Sequence, residues 1–193
     1  TAFGQAQVVS AATLKMAVPV YVAMGISALG YLGVKLWKDG ATLDDLRTGY
    51  DAEVAVGQEL NRLMLQGAAV FHDVPGDNFN IDHVVVCTAG VFAVETKGRT
   101  KRNGKGGTAE ATVEYDGVSL KFPTYTTREP IEQSSRQAAW LSRWLTSAVG
   151  SPVRAQAVVA LPGWFVRRTG RGGVWVYSGK ELVGLPRAYG AQQ

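Results

Sequence analysis

Three charged side chains interrupt two apolar, β-rich runs of the sequence at 80–87 and 91–97. Asp82 lies in the first run, and Glu95 and Lys97 lie near the end of the second. Charges in such surroundings are costly unless they are paired or bind a metal ion. We therefore expect these three side chains to share one site.

The two runs have the pattern of a β-hairpin, and its register decides which side chains meet. Glu95 and Lys97 point to the same face because side chains alternate along a strand. Asp82 joins them on that face when it lies directly opposite Glu95, which leaves 87–90 as the loop. A one-residue slip would move Asp82 to the other face. The sequence therefore predicts an even-length loop, or a β-bulge near Gly90.

Two carboxylates and a lysine on one sheet face suit the metal-dependent cleavage of phosphodiesters. Carboxylate oxygens are ligands that Mg²⁺ and Mn²⁺ prefer, and a bound divalent ion activates water and offsets transition-state charge. Lys97 would position that water, help to deprotonate it, or neutralise the scissile phosphate. For Glu-x-Lys taken alone, a surface ion pair between Glu95 and Lys97 is the simpler explanation.

The composition is that of a folded chain without disulfide bonds. Of the 193 residues, 46% are hydrophobic and 19% are charged, which excludes a disordered chain. Cys87 is the one cysteine, so a disulfide framework is excluded, and with only His72 and His83 to help it a Cys/His zinc site is not expected. The net charge of +4 permits an anionic partner.

The N-terminal part carries a run without charged residues from 16 to 34, which is long enough to span a bilayer as a helix. Lys15 precedes the run, and Lys35 and Lys38 follow it, which favours a cytoplasmic C-terminal side. We predict a transmembrane helix over 16–37 within an N-terminal segment 1–40, followed by a globular domain over 41–193. A cleaved signal peptide and a buried or interfacial helix are the alternatives.

The rest of the chain alternates between helical and strand patterns, so the fold class predicted is α/β. Apolar periodicity and turn residues predict a helix over 50–66, a strand over 68–73, the hairpin, a strand pair over 109–122, a helix that begins at Pro130, a central strand over 155–161, a strand over 174–177 and a short helix over 180–185.

Polar residues on the two helices are candidates for the same site. Glu53 lies on the apolar stripe of the first helix, either as a carboxylate aimed at the site or as an acid that favours the helix dipole. Gln133 and Gln137 lie one turn apart on the second helix. They either reach a phosphate or a metal-bound water, or belong to a polar helix face.

Two basic segments are candidates for contacts with a nucleic-acid backbone, which are salt-sensitive and independent of base sequence. The segment 97–107 follows the site directly, and a second basic loop is predicted around Arg167, Arg168 and Arg171. A solvated loop is the alternative for the first segment. The nucleic-acid-binding candidates are Arg99, Lys101, Arg102, Lys105, Arg167, Arg168 and Gln137.

The order helix, three strands, helix, strand, with acids on the second and third strands, resembles the core of the PD-(D/E)XK nucleases. More narrowly, the chain resembles a NERD (nuclease-related) domain from about 48 to 185. The resemblance rests on four segments in the family's order, which are 49–53 (GYDAE), 81–83 (IDH), 90–98 (GVFAVETKG) and 130–133 (PIEQ).

The resemblance assigns roles to the candidate residues. It implies that Asp82 and Glu95 are ligands of Mg²⁺ or Mn²⁺, with Thr96 counted among the ligands, and that Lys97 is the catalytic lysine. Glu53 and Gln133 would complete the site from the two helices.

The resemblance also implies a function. We expect a metal-dependent nuclease that cleaves DNA, anchored by the N-terminal helix to a bacterial inner membrane, with the nuclease domain in the cytoplasm. The alternative is a catalytically silent, nucleic-acid-binding component of a membrane-associated DNA-transfer complex, with other subunits as partners. An RNase is a third option, although no pattern in the sequence indicates recognition of the 2′-hydroxyl of RNA.

Overall fold

A computed structural model describes residues 11–100 and 111–186, without the side chains of 11–18, 20, 21, 39 and 41. Residue contacts divide the chain into two units, Thr1–Asp44 and Asp45–Gln193. The long helix α1 spans Ala11–Asn61.

In the N-terminal unit, the described side chains from 22 to 38 are exposed, and large apolar residues are among them. Within the residues that the structure describes, no helix combines the length and the apolar character needed to cross a membrane. The transmembrane helix predicted over 16–37 is therefore not supported by the structure.

Across its described residues, 45–100 and 111–186, the second unit contains two β-sheets, a second long helix and two short 3₁₀ helices. Its elements, in chain order, are the 3₁₀ helix Arg62–Gln66, β1 (Ala69–Pro75), β2 (Asn80–Cys87), β3 (Gly90–Thr96), β4 (Thr112–Tyr115), β5 (Leu120–Lys121), β6 (Thr126–Thr127), α2 (Glu129–Val149), β7 (Ala155–Leu161), β8 (Phe165–Arg168), β9 (Trp175–Ser178) and the 3₁₀ helix Gly179–Gly184.

The main sheet has the strand order β1-β2-β3-β7-β9. Strands β1 to β3 are antiparallel, whereas β3, β7 and β9 run parallel to one another. A smaller sheet has the order β6-β5-β4-β8. The α/β class is confirmed, and the chain order α1, β1–β3, α2, β7 is the predicted order of helix, three strands, helix and strand.

The register of the β2–β3 hairpin agrees with the prediction of an even-length loop. Val86 pairs with Val91 and Cys87 with Gly90, so two residues, 88 and 89, form the turn. The recorded pairing ends at His83 and Val94, one step before Asp82 and Glu95. The end of this hairpin is therefore where the two acids meet.

Apolar side chains cover both faces of the main sheet, as expected for parallel strands. Phe92 and Val94 belong to the core on the side of α1 and the 3₁₀ helices. Ala93 belongs to the core that includes α2 and the smaller sheet. Because side chains alternate, Glu95 continues the face of Ala93 towards α2, and Thr96 faces the opposite side.

Candidate active site

At the end of β3, the buried Glu95 forms an ion pair with Lys97, which is partly buried. The Lys97 Nζ lies 2.8 Å from the Glu95 Oε1, and the Glu95 residue is only 2% exposed. Gln133 of α2 bridges the pair, since its Nε2 donates to Glu95 Oε1 over 2.8 Å and its Oε1 accepts from Lys97 Nζ over 2.9 Å. The simpler explanation, a surface ion pair, is wrong.

Gln137 holds the other oxygen of the same carboxylate. Its Nε2 donates to Glu95 Oε2 over 2.6 Å and to the backbone oxygen of Asn80 over 3.1 Å. Gln133 and Gln137 reach one carboxylate because residues four apart lie on the same side of a helix. Gln137 is buried, so the structure places it behind Glu95 and not on a nucleic-acid-binding surface.

Asp82 lies against the backbone at the end of β3. Its Oδ2 accepts a hydrogen bond of 2.6 Å from the backbone N–H of Thr96. Burial raises the pKa of Asp82 to about 7, and the negative charges of Glu95 and Glu53 add to that rise, while the N–H of Thr96 and the ammonium of Lys97 oppose it. Asp82 and Glu95 are thus close enough for each charge to disfavour the other.

Glu53 approaches from α1. It shares a cleft of about 300 Å³ with Asp82, Asp73 and the two histidines, His72 and His83. Burial raises the pKa of Glu53, and the charges of Asp73 and Glu95 raise it further. The structure therefore brings Glu53 into the electrostatic environment of the site, without a hydrogen bond to another described residue of it.

The glycine after the lysine lets α1 approach the site. A Cβ added at Gly98 would collide with the carbonyl oxygen of Thr48 and would crowd the side chain of Ala52. A larger residue at 98 would therefore push α1, and Glu53 with it, away from the strand.

Lys97 is protonated in this environment. Burial alone would lower its pKa, but the hydrogen bond to Glu95 and the charges of Glu95, Glu129 and Asp82 outweigh burial, so the pKa of Lys97 is raised. Glu129 contributes because its Oε1 lies 3.6 Å from Nζ. The sequence analysis missed Glu129, although its position one helical turn before Gln133 is the signal that could have identified it.

A family model described as the nuclease-related domain (NERD) matches residues 48–162, which is more than half of the chain. The chain belongs to the NERD family. The family predicted from four short segments is confirmed, and with it a nuclease domain of the PD-(D/E)XK type. The match ends before β8 and β9 begin. No curated protein and no solved structure matches the chain.

The oxygen donors of this NERD domain fit a hard divalent cation, although they are few. Mg²⁺ is commonly bound through one or two carboxylates, with waters and substrate phosphates as the other ligands. Asp82 and Glu95 supply two, and their mutual repulsion is what a cation would relieve. Among the residues described, no three or more His, Cys, Asp or Glu side chains form a group able to hold a metal ion. The assignment of ligands stays a prediction.

Thr96 makes a backbone contact within the site that the sequence analysis did not predict. Its backbone N–H donates to Asp82, which fixes the orientation of that carboxylate. Its side chain is buried on the opposite face from Glu95, and within the described chain its hydroxyl oxygen has no hydrogen-bond partner. Thr96 therefore orients Asp82 through its backbone, and its predicted place among the metal ligands stays a prediction.

The two arginines near the C-terminus do not form the basic loop that was predicted. Arg167 and Arg168 lie on β8. Arg167 Nη2 lies 2.6 Å from Glu114, and Arg168 Nη2 lies 2.8 Å from Glu181. Acids that are distant in the sequence thus pair with both guanidinium groups, and the predicted contact of the two arginines with nucleic acid stays a prediction.

The basic segment after Lys97 is described only in its first residues. Arg99 is exposed, and its backbone oxygen accepts a hydrogen bond of 3.3 Å from the indole of Trp164. Lys101, Arg102 and Lys105 lie outside the described residues, so their predicted contact with nucleic acid stays a prediction.

Proposed function

We propose that this NERD domain is a divalent-metal-dependent nuclease that hydrolyses phosphodiester bonds of DNA. The observation that carries the proposal is the ion pair of the buried Glu95 with Lys97, held from α2 by Gln133 and Gln137 and placed beside Asp82. Placing two acids and a lysine beside one another, with Glu95 buried and the other two partly buried, costs free energy. A catalytic site of the family's type gives a reason for that cost.

Asp82 and Glu95 would hold Mg²⁺ or Mn²⁺ in this proposal. The bound ion supplies Lewis acidity at the phosphate and lowers the pKa of a bound water. Asp82 keeps a proton at neutral pH in part of the molecules, because its pKa is about 7. Cations and protons therefore compete for Asp82, and metal binding strengthens as the pH rises through 7.

The protonated state of Lys97 favours one of the roles considered for it. An ammonium group with a raised pKa is a poor proton acceptor at neutral pH. It is well suited to neutralise negative charge that develops on the scissile phosphate. Gln133 positions the Nζ by accepting its hydrogen bond, so Lys97 acts in this proposal as a fixed positive charge.

Contacts with the DNA backbone belong to the proposal as well. Arg99 is exposed and follows Lys97 by two residues, so it is the described basic residue that we expect to contact a phosphate next to the scissile one. Lys101, Arg102 and Lys105 follow in the sequence and extend the same positive charge. Contacts of this kind are independent of sequence and weaken as salt is added.

We further propose that the N-terminal segment attaches the domain to the bacterial inner membrane, with the nuclease domain in the cytoplasm. The support is the uncharged run over 16–34 and the exposure of Leu29, Leu36 and Trp37. Alkaline carbonate extraction of bacterial membranes that carry the full chain tests this. Retention in the pellet is expected, and release of the chain into the supernatant would refute the attachment.

Cleavage of plasmid and single-stranded DNA by the full chain tests the nuclease proposal. We expect cleavage with Mg²⁺ or Mn²⁺, none with EDTA, and rates lowered ~100-fold or more by Glu95→Gln and by Lys97→Met. Matched controls are Glu132→Gln, an exposed acid on α2, and Lys121→Met, an exposed lysine. Wild-type rates in the Glu95 variant would refute the assignment. Salt-sensitive DNA binding without cleavage in any metal would favour the catalytically silent component instead.

A further inference from the structure

Two tryptophans form a partly open aromatic platform on α2. The rings of Trp140 and Trp144 are nearly parallel, with an interplanar angle of 12° and centroids 6.2 Å apart. Phe79 packs edge-on against Trp140 at 5.5 Å. Trp144 is 53% exposed, which is unusual for so large an apolar ring. The outer ring of the platform is therefore accessible.

The inner ring of the platform is fixed in place. The indole Nε1 of Trp140 donates to Asp77 Oδ2 over 3.1 Å, and the ring packs against the core beneath α2. Trp144 stacks on this fixed ring, one helical turn further along. Because the inner ring is already fixed and supports Trp144, a flat ligand that stacks on Trp144 loses little binding free energy to the ordering of side chains.

Positive charge borders the platform. Arg136 precedes Trp140 by four residues and Arg143 follows it by three, so both lie next to it on the helix surface. Both arginines are exposed, and neither forms an ion pair with any residue in the described ranges. The acids nearby are Glu132, one turn before Arg136, and Asp77, which is hydrogen-bonded to Trp140. Aromatic rings bordered by arginines suit a ligand with flat rings and phosphates.

The platform is connected to the candidate active site through a short series of contacts. Gln137 binds both Glu95 and the backbone of Asn80, and Asn80 directly follows Phe79, which packs on Trp140. Along the axis of α2, Trp144 lies about 16 Å beyond Gln133, at 1.5 Å per residue. A strand that places a phosphate at Lys97 could therefore reach the platform within a few nucleotides.

We propose that this platform stacks the bases of a single-stranded DNA segment whose backbone enters the active site. The inference rests on the proposed nuclease function and adds a preference for single strands. In a duplex the base faces are covered by their neighbours, whereas an unpaired strand can offer a base to Trp144. Stacking of this kind is tolerant of base identity, which agrees with backbone contacts that do not read sequence.

Comparing two proteins, with and without Trp144, on two strands, with and without bases, isolates the contribution of stacking to binding. Fluorescence anisotropy in EDTA measures the binding of a labelled oligothymidylate, and of an abasic strand of the same length, to the full chain and to Trp144→Ala. We expect Trp144→Ala to weaken binding of the oligothymidylate about 5- to 150-fold, as expected from 1–3 kcal/mol per stacked base. The abasic strand should bind equally to both proteins, because it has no base to stack.

Two control variants separate stacking from general damage. Trp144→Phe keeps a flat ring and should recover most of the affinity. Phe165→Ala removes an exposed aromatic residue on β8 and should leave both ligands unaffected. Equal losses for the two strands, or no loss for either, would overturn the proposal. Because no cleavage is measured, a failure of the nuclease proposal appears separately, as missing activity.

Discussion

Replacing Asp82 by asparagine should stabilise the metal-free protein at pH 8 while abolishing its response to metal. Asp82 is half-buried beside Glu95, and its pKa in the folded protein is about 7, compared with an ordinary value of 3.8. Its negative charge is therefore unfavourable in the folded state. Asparagine has nearly the same shape, carries no charge, and keeps an oxygen that can accept the hydrogen bond from Thr96.

The direction of the pH effect follows from proton binding. Between about pH 4 and pH 7, the folded protein keeps the Asp82 proton that the unfolded chain has lost. The contribution of Asp82 to stability is therefore complete below pH 3.8, and it is lost as the pH rises to about 7. Two pH units, from 5 to 7, correspond to about 2.7 kcal/mol. Partial exposure of Asp82 to solvent reduces the expected difference to roughly 1–2 kcal/mol.

Urea unfolding in EDTA at pH 5 and pH 8 measures this difference. We expect the gain in free energy of unfolding from Asp82→Asn to be roughly 1–2 kcal/mol larger at pH 8 than at pH 5, which corresponds to a melting temperature higher by about 2–8 °C. Titration of His83 runs in the opposite direction, because burial lowers its pKa to about 4, but it is common to both proteins and cancels.

A matched control and a metal titration complete this test. Asp51→Asn removes an exposed aspartate of α1 and should leave the difference between the two pH values unchanged. Added Mn²⁺ should raise the stability of the wild-type protein and not that of Asp82→Asn, since a ligand of the folded state alone stabilises it. The reasoning would be refuted if Asp82→Asn were less stable than the wild type at pH 8 in EDTA.

Three further variants test the packing around the site. Gln137→Leu leaves Glu95 Oε2 without its donor, so we expect the free energy of unfolding in urea to fall by about 1–3 kcal/mol. The cleavage rate should fall more than the affinity for DNA does, and a wild-type rate would contradict this positioning role. Gly98→Ala should lower stability by about 1–3 kcal/mol because its Cβ meets Thr48, and an unchanged melting temperature would show that α1 does not pack there. Arg168→Ala should lower the melting temperature but leave DNA affinity in anisotropy unchanged, because Glu181 already pairs with the guanidinium group, and a clear loss of affinity would instead support the contact with phosphate predicted from the sequence.

Local patterns were sufficient to predict the hairpin that carries the acids. Alternation along the two strands predicted an even-length loop, because a one-residue slip would put Asp82 and Glu95 on opposite faces. The structure has that register, in which Val86 pairs with Val91. The apolar run over 155–161 was likewise sufficient, since a strand covered on both faces needs apolar residues at every position.

Long-range contacts explain what the sequence did not reveal. The two arginines of β8 looked like a basic loop because Glu114 and Glu181, which neutralise them, are distant in the sequence. Gln137 looked like a surface residue because the sequence around it does not show that the β2–β3 hairpin places Glu95 within hydrogen-bond distance of its amide. The transmembrane prediction rested on the length of the uncharged run over 16–34 and on the lysines that flank it. These features do not distinguish a membrane span from another apolar helix.

Binding of Mn²⁺ to the full chain, measured by isothermal titration calorimetry at pH 8, tests the central claim most directly. The account predicts one site that is lost in both Asp82→Asn and Glu95→Gln and is retained in Glu132→Gln. Absence of Mn²⁺ binding to the wild-type protein, or binding that survives the loss of either carboxylate, would contradict the claim that Asp82 and Glu95 together hold the metal.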